Sequence, residues 1–176
     1  DLLAHSDIFK SLNETNLIFS AFSSNFNKFE PNSPKVQVIF KSSIDGDSIK
    51  MFHKFCDGEP NIIVAIQSEG GCRFGGFTKI GFNSTGGDKN DEMAFLFSLD
   101  KMKVYKDRKK CKYIYCDINH GACFGKNEDE IIHICDGFFN NPCYVNTIGH
   151  EKNKYELNNG VSFFRIKELE IIKILI

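Results

Sequence analysis

The sequence predicts an α+β domain that is mainly β. Three observations carry this. Short apolar runs, several with period two, recur from Lys35 onward and are broken by Gly, Asn and Asp turns. Helical periodicity is concentrated in the first 30 residues and in one later segment. No internal repeat is present, and 176 residues fit one domain with room for a sizeable core. Residues 1–34 read as a helical segment and linker of the same domain as the β-rich body, residues 35–176.

In the first segment, Ser6 is placed to cap a short helix carrying Ile8, Phe9 and Leu12, and a second helix from Glu14 carries Leu17, Ile18 and Phe22. A polar linker ending in Pro31 and Pro34 follows. Val36, Val38 and Phe40 then alternate with Lys35, Gln37, Ile39 and Lys41 as a first strand. Ser43 to Leu99 organises the rest. Asp45-Gly46 is a turn, and Ser48 stands at the N-cap of a helix whose Ile49, Phe52, His53 and Cys56 share one face. Asp57-Gly58 closes that helix. Ile62 to Ile66 is too short for a helix between its breakers, so it reads as a strand buried on both faces. Gly70-Gly71 turns the chain. Cys72, Phe74, Gly76 and Thr78 alternate with Arg73, Gly75, Phe77 and Lys79, and Met93 to Leu99 is a third apolar strand. The stretch from Gly81 to Glu92 reads as a long polar surface loop. Further strands are expected at Cys111 to Cys116 and around Ile131, Ile132 and Ile134. Residues 137–160 have no readable period. Ser162 to Ile176 is the last strand, with a bulge expected near Glu168 to Glu170 that switches faces.

Eighteen Phe and no Trp predict a core of Phe, Ile, Leu and Cys. A net charge of −1 argues against a general nucleic-acid binder. No apolar run approaches the roughly 20 residues of a membrane-spanning helix. The chain begins at Asp1 without a signal-peptide pattern and is read as a fragment. Seven cysteines, mostly inside apolar segments, indicate reduced thiols of an intracellular, cytoplasmic protein rather than a disulfide framework. Cys72, Cys111 and Cys135 read as small core residues.

The pattern supplies no catalytic constellation, and catalytic, cofactor and metal residues are all expected to be absent. Cys116, His120 and Cys123 have a ligand-like spacing, but zinc needs four ligands, usually from paired Cys knuckles, and no Cys-x-x-Cys occurs. His53 and Cys56 can touch on their helix, yet Cys56 lies on the inward face. Lys101, Lys103, Lys106, Arg108, Lys109, Lys110 and Lys112 form a basic run. It reads either as a patch for acidic protein or lipid headgroups, or as a solvated turn that blunts a sheet edge with lysine.

DGDSIKMFHKFCDG, then an apolar strand, FGGFT and DEMAFLFSL resembles the TLDc domain family, which includes oxidation-resistance proteins, nuclear-receptor-coactivator relatives and regulators of the vacuolar proton pump. YCDINHGACFG resembles the family's segment ending in Gly-x-x-Phe-Gly, here Gly121, Phe124 and Gly125, and SFFRIKELEIIKI its closing strand. The resemblance implies two antiparallel sheets packed as a sandwich with short helices around it. It marks Gly75, Gly76, Asp91, Glu92 and Glu170 as motif positions. Glu92 and Glu170 are expected to tie loops to the sheet through backbone N–H groups or a nearby Arg or Lys. After Gly125 the chain departs from the family pattern, with Lys126-Asn127-Glu128-Asp129-Glu130 replacing further glycines.

By resemblance, the function is a non-enzymatic interaction domain, a monomer in isolation, whose protein partner is a subunit of the vacuolar-type proton pump at the cytosolic face of endolysosomal membranes. Oxidative-stress protection or endolysosomal trafficking is the implied role. The contact surface is expected at loops on one end of the sandwich: Gly70-Gly71, Gly81 to Glu92 with Asp88, and Gly121 to Glu130. Two alternatives remain, a redox-active domain using Cys56 or Cys123, and a lipid- or acidic-protein-binding module using the basic run.

Overall fold

A computed structural model describes residues 2–23, 34–106, 109–126, 131–146 and 155–175, with the backbone alone at Lys109 and Lys110. Two antiparallel six-stranded sheets form the body. The first contains, in spatial order, β1 (Lys35–Lys41), β12 (Ile166–Leu175), β2 (Ile62–Ser68), β3 (Arg73–Thr78), β5 (Phe95–Ser98) and β6 (Lys103–Tyr105). The second contains β11 (Phe163–Phe164), β10 (Cys143–Val145), β9 (Ile132–His133), β8 (Cys123–Phe124), β7 (Tyr113–Tyr115) and β4 (Asp88–Asn90). Among the described residues four α-helices accompany them: α1 (Leu2–His5), α2 (Leu12–Ser23), α3 (Ser42–Asp45) and α4 (Ile49–Cys56).

The first sheet is covered on both faces. One face of β2, β3, β5 and β12 presents Val64, Phe74, Leu96, Leu169 and Ile171 to the second sheet, which answers with Ile114, Phe124, Ile132 and Val145. The other face presents Ile63, Ala65, Phe77, Phe95, Phe97, Ile172 and Ile174 to Leu2, Ile8, Phe9, Ile18 and Phe22 of the N-terminal segment. Double coverage is why Ile62 to Ile66 is apolar without interruption, and all five residues are fully buried. It also explains Gly75-Gly76. A Cβ on Gly75 would lie 1.8 Å from the Val64 carbonyl oxygen, and one on Gly76 would lie 2.6 Å from the Phe124 ring. Both motif glycines are packing positions: Gly75 leaves no room beside the neighbouring strands of its own sheet, and Gly76 lets the second sheet approach through Phe124.

Several expected elements move. Ser6 caps no helix around Ile8. Its hydroxyl oxygen accepts from the Ile8 and Phe9 amides in an irregular stretch, and the helix starts later, at Leu12. Ser11 is the residue before α2, with its hydroxyl oxygen 3.3 Å from the Glu14 amide, while the Glu14 carboxylate reaches back to the Lys10 amide at 2.6 Å. The signal for this start is the Ser-x-x-Glu spacing of a capping box. The strand expected at Cys111 is one turn of 3-10 helix up to Lys112 followed by β7. The polar loop from Gly81 contains β4, which pairs with β7 at the edge of the second sheet. The closing strand is divided between the sheets: β11 belongs to the second and β12 to the first. The face switch occurs between Ile166 and Glu168, earlier than expected, so Phe164 and Ile166 share the inter-sheet core with Leu169 and Ile171. The linker up to Pro31 and the acidic run at Glu128, Asp129 and Glu130 lie outside the described residues.

Phe95 and Phe97 are fully buried on the helix-covered face. Replacing either with Ala should cost about 3–5 kcal/mol, a fall of roughly 6–20 °C in melting temperature for a domain this size. Differential scanning calorimetry checks it, and Leu12→Ala at an exposed position is the reference for an unperturbed core.

Candidate functional site

Helix α4 is held at both ends by segments remote in sequence. Ser48 occupies its N-cap, but its side chain makes no capping bond, and the Ile49 amide donates instead to Asp136 Oδ1 at 2.7 Å. At the other end, His53 Nδ1 lies 2.7 Å from Asp57 Oδ1 and His53 Nε2 lies 3.0 Å from the His120 carbonyl oxygen. The second Asp57 oxygen accepts from the Ser84 hydroxyl. The Cys116 amide donates to the Gly87 carbonyl at 3.0 Å. The Gly81 segment and the 116–122 turn therefore meet beside α4. Between them lies an open cleft of about 550 Å³ bordered by Lys50, His53, Ser84, Ile118, Asn119 and Asp136. Ile118, among the residues that border it, is 63 % exposed.

The Gly70-Gly71 turn is not part of this surface. It joins β2 to β3, whereas the segment from Lys79 leaves the opposite end of β3, so the three loops do not share one end of the sandwich. Gly121 is buried, and a Cβ there would meet Ile49 Cδ1 at 2.9 Å. Phe124 is fully buried, and Gly125 turns the chain at φ 109° while its amide donates to the Tyr113 carbonyl.

Of the adjacent acids, Asp91 and not Glu92 faces inward. Asp91 Oδ2 accepts from the Thr78 hydroxyl and the Lys79 amide, both at 2.7 Å, and Oδ1 accepts from the Met93 amide at 3.0 Å. Glu92 is exposed, and its contribution is its carbonyl, which accepts from the Lys112 ammonium. Glu170 is fully buried on the helix-covered face. It accepts from the Ser6 hydroxyl and, at 2.8 Å, from the Asp7 amide, with the Lys41 ammonium 3.4 Å away. Asp7 and Glu170 beside Lys41 hold its ammonium above the ordinary lysine range. Exposed Asp88 sits on edge strand β4.

Two residues of the basic run, Lys103 and Lys112, are engaged within the domain. Lys103 pairs with Glu156 at 2.9 Å and lies over the Tyr105 ring. Lys112 donates to the Glu92 and Ala94 carbonyls. Strand β6 is an edge of the first sheet, where lysines discourage further pairing. Lys101 is exposed and Lys106 half-buried. Arg108 and the side chains of Lys109 and Lys110 lie outside the described residues.

His53 and Cys56 form no dyad. Both His53 nitrogens are engaged elsewhere, and burial, reinforced by Asp57, pushes the Cys56 thiol far above its ordinary range. Cys123 is also fully buried. The paired thiols are Cys135 and Cys143, with their sulfurs 3.4 Å apart. The Cys143 thiol, as hydrogen-bond donor, holds Cys135 down to about 7, and its own ionisation is pushed up by the same bond and by burial. Cys135 is half-buried rather than a core residue.

A second cluster lies on the outer face of the second sheet. The registers Asp88↔Tyr115, Tyr115↔Cys123, Cys123↔His133, His133↔Tyr144 and Tyr144↔Phe163 place six residues in one row across six strands. His133 stacks on Tyr144 at 4.8 Å, and His120 lays its ring against His133 at 4.5 Å. One ligand atom each from His120, Cys123 and His133 lie within 4.8 Å of one another. Among the described residues, His120 Nδ1 is buried without a hydrogen-bond partner, a state that costs about 1–3 kcal/mol. His133 takes the place that the sequence spacing gave to Cys116, which points into the inter-sheet core.

A family model, that of the TLDc domain, matches residues 6–174. No curated protein matches the chain.

In the native protein Cys135 should be the first thiol alkylated by iodoacetamide, at a rate that rises through pH of about 7 as its thiolate forms. Half-buried Cys72 should follow, slowed because burial and Asp100 raise its thiol. Cys56 and Cys123 should react only on unfolding. Peptide mass mapping over a time course reads the order, and early labelling of Cys56 contradicts it.

Proposed function

The chain belongs to the TLDc domain family, and from that premise we propose that it is a non-enzymatic interaction domain whose contact surface is the cleft beside α4. The observation that supports this reading is the convergence of four chain segments on one cleft. Lys50, Ser84, Ile118 with Asn119, and Asp136 come from four separate parts of the chain and are tied together by the Asp57, His53 and Asp136 hydrogen bonds. An exposed Ile118 surrounded by a lysine, an asparagine and a carboxylate has the apolar centre and polar rim of a protein contact. Loops pinned to a rigid sheet present such a surface accurately.

The partner in this reading is a subunit of the vacuolar-type proton pump, met at the cytosolic face of endolysosomal membranes, with oxidative-stress protection as the physiological role. The family resemblance supports the partner, and no helix among the described residues is long and apolar enough to cross a membrane. Mixed charge at the rim steers association and fixes orientation more than it adds affinity.

A second reading has one specific observation behind it, the 3.4 Å approach of Cys135 and Cys143. A peroxide oxidises the Cys135 thiolate to a sulfenic acid with loss of hydroxide. The Cys143 thiol then attacks that sulfur, forming the disulfide and releasing water. Thiol reductant would close the cycle.

Two experiments separate the readings. Ile118→Asp should recover at least tenfold less pump subunit in pull-downs from cell extract while its melting temperature stays within a few degrees of wild type, since the side chain is exposed. Equal recovery by the variant removes the cleft as the contact surface, and failure of wild type to recover any pump subunit removes that partner. The interaction reading also expects no turnover of hydrogen peroxide by the purified domain with a thiol reductant. Turnover abolished by both Cys135→Ser and Cys143→Ser would establish the second reading in its place.

A further inference from the structure

From the outer face of the second sheet we infer a binding site for a divalent zinc-class cation, ligated by His120, Cys123 and His133. This inference is independent of the pump-binding reading and runs against the sequence expectation of no metal. Two separate observations support it. Three metal-ligating side chains of the right chemistry converge from two neighbouring strands and the turn before them, with ligand atoms within 4.8 Å of one another. One of them, His120, has a ring nitrogen buried without a hydrogen-bond partner among the described residues.

The ligand set selects the cation class. Two imidazoles and one thiolate suit zinc, whereas magnesium and calcium demand oxygen ligands. Zinc bonds of about 2.0–2.3 Å around a tetrahedron place neighbouring ligand atoms roughly 3.5 Å apart. Ring and thiol rotations of about an ångström therefore suffice, with no change of strand register. Cys123 and His133 sit directly opposite each other on β8 and β9, a pairing fixed by the ladder. His120 is brought over them by the turn before β8, and its carbonyl is anchored by His53.

The described residues supply three ligands, which leaves the fourth tetrahedral position to solvent or to a further ligand. On binding, the Cys123 S–H bond breaks, its proton goes to solvent, and the sulfur lone pair forms the S–metal bond. Affinity should therefore weaken as pH falls. The stacked Tyr144 ring keeps His133 in orientation.

The test titrates the apo domain with Co2+ alone as an optical reporter, then displaces it with Zn2+. One equivalent should produce a thiolate-to-cobalt charge-transfer band together with the intense d–d bands of tetrahedral cobalt. His120→Ala and His133→Ala, both at partly exposed positions, should each weaken binding by more than the roughly 10–100-fold lost with an outer-shell partner. Cys123→Ala should abolish the charge-transfer band; circular dichroism establishes whether that variant folds, and the two histidine variants decide the matter if it does not. His5→Gln and Cys135→Ser should titrate like wild type. Absence of saturable binding, a cobalt spectrum without the thiolate band, binding unchanged in the histidine variants, or loss of the band in Cys135→Ser would each overturn the assignment.

Discussion

The central strands of the first sheet are buried on both faces, and the rest of the structure is arranged around that constraint. A strand in this position has no solvent side, so each polar group it carries must be satisfied inside the protein. Glu170 is the sharpest case. It sits in the middle of β12, faces the N-terminal segment, and is completed by Ser6, Asp7 and Lys41. The irregular stretch after α1 is thus a hydrogen-bond donor to the sheet as well as an apolar cover. Arg73 makes a related tie nearby, reaching Glu14 of α2 at 2.9 Å and the Ile8 carbonyl at 3.1 Å. Breaking one partner of such an arrangement leaves a buried charge without compensation, which is why one glutamate can couple the N-terminal helices to the closing strand.

The second sheet is built differently. Its strands are two or three residues long, and Ile114, Phe124, Ile132 and Val145 form the apolar part of its inner face. Its outer face alternates out of the core and carries chemistry-bearing residues from β8, β9 and the turn before β8. The cleft beside α4 and the His120–Cys123–His133 cluster share the 116–122 turn, with the His120 carbonyl bonded on one side and its ring on the other. A ligand drawing the His120 ring toward Cys123 would act on the turn that also carries Ile118. The two sites are physically contiguous through one residue.

Features governed by local period were legible in the sequence. The buried run at β2, the alternation of β3 and the inward face of α4 all follow from spacing along the chain. The resemblance supplied the two-sheet packing. The less legible features were those fixed by distant partners. Ser48 looks like the cap of α4, but Asp136, far along the chain, makes the bond. Asp91 and Glu92 are equivalent as letters, and only the direction of the chain entering β5 turns Asp91 inward. Cys143 lies in a three-residue strand inside an unreadable segment, so its approach to Cys135 had no local signal. His133 joins His120 and Cys123 through cross-strand register, which a list of spacings does not contain. Ser11-x-x-Glu14 is the exception: a local signal marks the start of α2, yet Ser6 offers a competing cap.

Thermal unfolding of the chain lacking residues 1–23 tests most directly whether the doubly covered sheet is the organising constraint. Removal strips one face of β2, β3, β5 and β12 of its apolar cover and deprives Glu170 of the Ser6 and Asp7 donors. The predicted result is loss of a cooperative transition, with exposed apolar surface detected by dye binding. A truncated chain that still unfolds cooperatively within a few degrees of the full chain would contradict it.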